Sequence, residues 1–208
     1  MSPRGVAIPD LRERLFAAAE RVVARDGAAG LTSRAVTAEA DCGKGVLHAH
    51  FAGLDEFVAE LVLDRFARAA HHAALLPSRV GRGAVADNLQ DITVALLDSL
   101  PPAVVGIAMT RPAASLHTRA GLESGAPAFG AIQDSVTAYL EAEQHLARVP
   151  PHADPATIAL ALVGTVHHLL LTRTPDTTPT PTATTFRLIS TLLGPEPAPK
   201  APESPESH

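Results

Sequence analysis

Between Thr32 and Phe51 the chain reads TSRAVTAEADCGKGVLHAHF, and this stretch gathers side chains suited to meeting a polyanion. Thr32 caps a predicted helix over 33–40, supplying a hydroxyl to its orphan N–H groups. A second helix is predicted over 43–50 and is too short to stand without support. Its Val46, Leu47 and Phe51 cannot all face a core while Lys44, His48 and His50 lie between them. One side of such a helix packs, and the other is offered to nucleic acid. Roles follow from residue type. Thr32 and Ser33 set hydroxyls and a helix N-terminus against a phosphate. The fork of Arg34 matches the two acceptors on the edge of guanine. Lys44 is a phosphate ligand, and Gly43 and Val46 face the groove, where Val46 can make only apolar contact, as with a thymine methyl. Sequence readout therefore leans on Arg34 and on DNA shape.

Other chemistries find little support. The chain carries no nucleophile elbow, no glycine-rich phosphate loop and no paired carboxylates on an apolar face, so no enzyme activity and no cofactor are expected. His71-His72 and His167-His168 are adjacent pairs, which diverge on a helix and cannot chelate from it, so no metal is expected. Cys42 reads as a small buried hydrophobe rather than a redox switch. The net charge is −5, against the habit of nucleic-acid binders. Residues 1–57 hold seven Lys or Arg against eight Asp or Glu, so DNA affinity must come from the placement of Arg34, Lys44 and one or more of Arg4, Arg12 and Arg14. The lone cysteine excludes an intrachain disulfide, and with no signal peptide evident a reducing cytoplasm is the expected compartment. The apolar run over 156–171 is broken by Gly164, Thr165 and two histidines and is shorter than the roughly 20 residues of a bilayer span. A buried helix is expected there, and no membrane partner.

The stretch resembles the helix-turn-helix of the tetracycline-repressor (TetR) family of bacterial transcription regulators. The resemblance covers about Leu11 to Leu61: a first helix, LTSRAV, the K-G-x-L-x-x-H-F run at Lys44 to Phe51, and an acidic helix start at Asp55-Glu56. The chain departs from the pattern at Thr37, where a small Ala is usual, at Asp41 for a turn Gly, at His48 for Tyr, and at Leu54 for a phosphate-binding Lys. The resemblance implies a homodimeric, all-α, nine-helix regulator: three helices for DNA and six for effector binding and dimerisation. It implies a repressor, released from a palindromic operator in double-stranded DNA by a small apolar organic effector. It places Arg34 where members touch a base, and His48 and His50 where Tyr and His meet the DNA backbone.

The elements that must position these residues are legible in outline. Residues 1–9 read as an arm, 10–53 as the helix-turn-helix domain, 54–193 as the ligand-binding and dimerisation domain, and 194–208 as a disordered Pro-rich tail. At 46% apolar and 3% aromatic residues, any core must be built from Ala, Leu and Val, which favours helices throughout. Asp10 opens a first helix ended by Asp26-Gly27, and a long helix over 54–76 joins the two domains. Val85, Leu89, Ile92 and Leu96 form one stripe of a helix over 84–100. Pro101-Pro102 opens the next helix, which Arg111-Pro112 kinks or ends. A loop over 121–127 precedes a helix lined by Phe129, Ile132 and Val136, and an apolar helix starts near Pro155. A Thr/Pro-rich linker from Thr174 leads to a last helix over 184–193. Phe66, Met109, His117 and Phe129 are the expected effector wall, acting by displacement of the 54–76 helix. Leu160, Leu162, Val166 and Leu170, with Leu188 and Leu192, are the expected dimer interface. The other reading is a helical small-molecule-binding protein that has lost DNA affinity.

Overall fold

Alanine and leucine at helical spacing, with few β-branched runs to favour strands, form helices here wherever the chain is described. The computed structural model describes residues 11–99, 101, 104, 106–107, 110–172 and 179–194. Among these it has nine α-helices and no strand: α1 Leu11–Gly30, α2 Ser33–Glu39, α3 Val46–His50, α4 Leu54–Ala73, α5 Val85–Ser99, α6 Pro112–Glu123, α7 Phe129–His145, α8 Pro155–Thr172 and α9 Pro181–Leu193. The arm before Asp10, Pro102, Met109, most of the linker from Thr174 and the tail beyond Gly194 lie outside the described residues.

The element ends show where local chemistry overrode the periodic pattern. Gly27 breaks α1 at φ 71°, a left-handed value that costs glycine little, and one further turn reaches Gly30. α4 stops at Ala73, short of Leu76, and Leu76–Arg79 winds into a 3-10 turn instead. Pro77 has no N–H to continue an α-helix and pushes its predecessor out of the helical region. Pro112 starts a helix rather than merely ending one. Arg111 is extended (φ −119°, ψ 94°) and α6 then runs on through Gly121, a position expected in a loop. A Cβ on Gly121 would run into Leu63 of α4, so the missing side chain is what lets α6 lie close against α4. α9 begins three residues earlier than expected because Thr180 caps it, accepting from the Ala183 N–H at 3.3 Å, and Pro181 occupies the first turn, where proline is tolerated.

Two apolar clusters organise the helices. The amino-terminal one gathers Leu15, Phe16 and Val22 of α1, Val36 of α2, Leu47 of α3 and Phe57 and Leu61 of α4. It also takes Val104 and Ile107 from helical residues before α6, and Ala114 of α6 itself, so this core extends well past residue 53. The second cluster packs the Leu89–Ile92–Leu96 stripe of α5 against Ile132 and Val136 of α7, Leu162 and Val166 of α8 and Ile189 of α9. Phe66 of α4 packs against both. α8 is long and apolar enough to cross a membrane by length and composition, yet its Ile158, Leu162, Val166 and Leu170 face is sealed into this core, as in a core helix.

Candidate nucleic-acid interface

Three phenylalanines fix the helix-turn-helix to its support. Phe51, just after α3, meets the Phe57 ring edge-on at 5.0 Å, and Phe16 of α1 lies 5.5 Å from Phe57 and 6.2 Å from Phe51. Favourable aromatic pairs of this kind add about 0.5–1.5 kcal/mol each beyond burial. Leu47 is fully buried beneath them. α3 has five residues and no side-chain N-cap, so this packing, rather than helix propensity, holds it. Its start at Val46 rather than Gly43 follows from Gly43 and Gly45, poor helix formers.

α2 is held at both ends. Thr32 accepts from the Ala35 N–H at 3.1 Å, the predicted cap. At the other end Arg14 donates to the Ala40 carbonyl at 2.7 Å, and Glu39 takes Arg21 and Arg25 of α1, each at 2.8 Å. Those two guanidinium hydrogen bonds hold the Glu39 carboxyl below its usual range, and Arg25 is raised by Asp26 and Glu39. The turn then closes with the Asp41 N–H on the Ala38 carbonyl (3.2 Å) and the Cys42 N–H on that of Thr37 (3.0 Å), the paired bonds of a Schellman motif. Asp41 sits at φ 50°, the position where glycine is cheapest and Asp is among the better-tolerated alternatives. Thr37 fits where a small residue is usual because its buried hydroxyl donates to the Ser33 carbonyl at 2.9 Å. Cys42 is half-buried, and burial pushes its thiol up, away from the reactive thiolate.

Scaffold ties consume most of the local positive charge. Between 11 and 53 lie six cations: Arg12 pairs with Glu60, Arg14, Arg21 and Arg25 are tied as above, and only Arg34 and Lys44 have no partner among the described residues. Both are exposed. Thr32, Gly43, His48 and His50 are exposed too, and Ser33 and Val46 are half-buried. The eight predicted residues thus all reach the surface of one helix-turn-helix. At the start of α4, where Leu54 stands in place of Lys, the cation among the described residues is Arg111, and it is tied to Asp55 at 2.7 Å, while Glu56 accepts from the Ala52 N–H. The tying arginines were invisible as a group in sequence, since Glu39 lies 18 and 14 residues from its partners.

The expected effector wall is brought together only in part. Phe66 and Phe129 meet edge-on at 5.1 Å. His117 instead stands on the exposed side of α6, because Ala114 and Thr118 are the α6 side chains turned into the protein. Met109 lies outside the described residues. His167, not singled out for the wall, packs its ring tilted against Phe129, centroids 4.8 Å apart. The dimer assignment needs correction. Leu162, Val166 and Leu170 are sealed in their own protomer, because α7, α5 and α9 cover that face of α8, so they cannot meet a second copy. Leu188 and Leu192 are half-buried against the same core. Leu160 is 59% exposed, and Leu171 of α8 and Phe186 of α9 (51%) also stand out. Phe186 had no periodic signal in sequence, since it lies off the stripe that packs α9.

No family model matches the chain, and no curated protein matches its sequence. Solved structures do match. The reduced form of NemR from E. coli superposes with a TM-score of 0.68 at 16% identity, over 91% of this chain and 99% of that one. The fatty acid degradation regulator FadR from Bacillus halodurans gives 0.61 at 16%, over 93% and 97%. A TetR transcriptional regulator from Streptomyces coelicolor gives 0.57 at 23%, over 90% and 99%. At these identities the likeness is one of fold. The chain has the all-helical fold of the TetR-family transcriptional regulators.

Proposed function

We propose that this protein is a homodimeric DNA-binding transcription regulator, a repressor whose hold on a palindromic operator is released by a small organic effector. The observation that carries the reading is the division of charge on the helix-turn-helix. Four cations are spent on holding α1, α2 and α4, and the two without a partner among the described residues flank the turn where a DNA backbone and base edge would lie. Arg34 contacts a base, Lys44 a phosphate, and His48 and His50 add backbone contacts. Thr32 and Ser33 present the N-terminus of α2 to a phosphate, with Gly43 and Val46 against the groove. One such module has too few cations for specific affinity, whereas two held a helical turn of DNA apart share the task. Exposed Leu160, Leu171 and Phe186, with Leu188 and Leu192 at their edge, supply the apolar surface that a second copy covers. The effector acts near Phe66 and Phe129, where α4 meets α7, and shifts α4 by binding two states unequally. Titrating purified protein onto duplex DNA at low salt tests the reading: retention that weakens linearly in log affinity against log salt is expected. The competing reading, a binding protein without DNA affinity, is favoured by Leu54 in place of a Lys and by the acidic Asp55 and Glu56 at the start of α4. Failure to retain any duplex at low salt would select it.

A further inference from the structure

α4 changes cores at Arg65. Before it, Phe57, Val58, Leu61 and Val62 belong to the amino-terminal cluster, and after it Ala69, Ala70 and Ala73 belong to the other. Arg65 itself is only 5% exposed, a burial that a guanidinium tolerates when its N–H groups are answered. The answers come largely from α1. Its Nε donates to Glu20 at 2.7 Å, and its Nη1 to Glu13 at 3.2 Å and to Asp64 at 2.7 Å. Arg68 extends the set to Asp64 at 2.9 Å and to Glu13. The main backbone approaches of α4 are with α5, α6 and α7, while its contact with α1 is made by side chains, apolar up to Val62 and charged at Arg65. Beside the joint opens a cleft of about 470 Å³, with Asp98 and Ser99 of α5 lining it together with Glu13, Glu20 and Arg65. At Arg65, then, long charged side chains join α1 to α4 beside a solvent cleft, over the Phe16 ring and next to Phe66 at the edge of the apolar core.

Such a joint couples motion differently from apolar packing. Apolar surfaces can slide and repack, but a buried guanidinium cannot leave its carboxylates without a large penalty. If α4 shifts, α1 is drawn with it. α1 in turn carries α2 through Arg14, Arg21 and Arg25. We propose that Arg65 is the positioning residue of this protein: its ion pairs with Glu13 and Glu20 fasten α1 to α4, so that a displacement of α4 is passed to the helix-turn-helix. The consequence for DNA rests on the regulator reading, while the fastening itself does not.

Amide hydrogen exchange on the full chain separates the two. Glu20→Gln removes one bond and leaves Arg65 with Glu13 and Asp64, so the fold survives, and Arg65→Gln removes all of the Arg65 ion pairs while leaving Arg68 on Glu13 and Asp64. In both variants the amides of α1, α2 and α3 should exchange about tenfold faster, the scale of one lost charge-assisted bond, while those of α7 and α8 keep native rates. Arg65→Lys should recover part of the protection. Native rates in α1–α3 of Glu20→Gln and Arg65→Gln, or an equal acceleration in every helix, would overturn the proposal, the second because it marks a merely global contribution to stability. A selective loosening of α1–α3 in a protein that retains no duplex DNA would uphold the fastening and refute the regulator reading.

Discussion

Arg34→Ala is a clean perturbation because the protein itself loses so little by it. The side chain is exposed and has no partner among the described residues, and the α2 cap at Thr32 and the C-terminal ties at Ala40 and Glu39 do not involve it. Stability should therefore change by no more than about 0.5 kcal/mol. A bidentate base contact contributes about 1–3 kcal/mol of discrimination, so each half-site should lose roughly 5- to 150-fold in affinity for the selected site. Affinity for random duplex should change little. Lys44→Ala should instead weaken both sequences alike and reduce the salt slope by about one unit per protomer. Fluorescence anisotropy with labelled specific and random duplexes, each titrated at several salt concentrations, reads all four quantities. Equal losses on the two duplexes for Arg34→Ala would refute the base contact and leave Arg34 as a phosphate ligand.

Three further expectations use other parts of the molecule. Leu160→Glu combined with Phe186→Glu should give a folded monomer by sedimentation, since both side chains are exposed in the protomer. Val166→Glu should unfold the chain rather than split a dimer, because it buries an unpaired carboxylate, and a dimeric double variant would place the interface elsewhere. Gly121→Ala should change denaturant unfolding by no more than about 1 kcal/mol, since its Cβ meets only the end of the Leu63 side chain across the α4–α6 contact and the cost of moving that methyl offsets the helix-propensity gain of Ala over Gly. Glu39, held low by Arg21 and Arg25, stabilises the fold above its unfolded-state pKa of about 4.3, and that stabilisation is lost as pH falls through the lower folded value. Glu39→Gln should flatten the acid limb of stability against pH, and an unchanged limb would show that the carboxylate is idle.

The parts of this molecule written in local pattern were the ones readable from sequence. The Thr32 cap, the α5 stripe and the K-G-x-L-x-x-H-F run each depend on residues within a few positions of one another, and each forms the element expected. What sequence left open was which side of an apolar helix faces in. α8 is apolar nearly all round, so its pattern does not separate Leu162 and Val166, which the protomer buries, from Leu160, which it exposes. Proline marked breaks, and Pro155 opens its helix as expected, but Pro112 and Pro181 also begin helices, which their flanking residues did not show. The Arg65 joint and the Glu39 clamp unite residues up to 52 positions apart, and no spacing rule connects them. Exposure of His48 and His50 is likewise a tertiary outcome, fixed by the Phe16–Phe51–Phe57 group that turns the other side of α3 inward.

Selection of genomic fragments by the purified protein, followed by footprinting of the enriched site, shows whether the helix-turn-helix reads DNA as a symmetric pair. A two-fold-symmetric site is expected whose half-sites lie about 34–36 Å apart, or a multiple of one DNA turn, with protection centred where α2 and α3 meet the groove and lost in Arg34→Ala. Enrichment of no sequence over random fragments at low salt, or of a single unrepeated half-site, would contradict that reading.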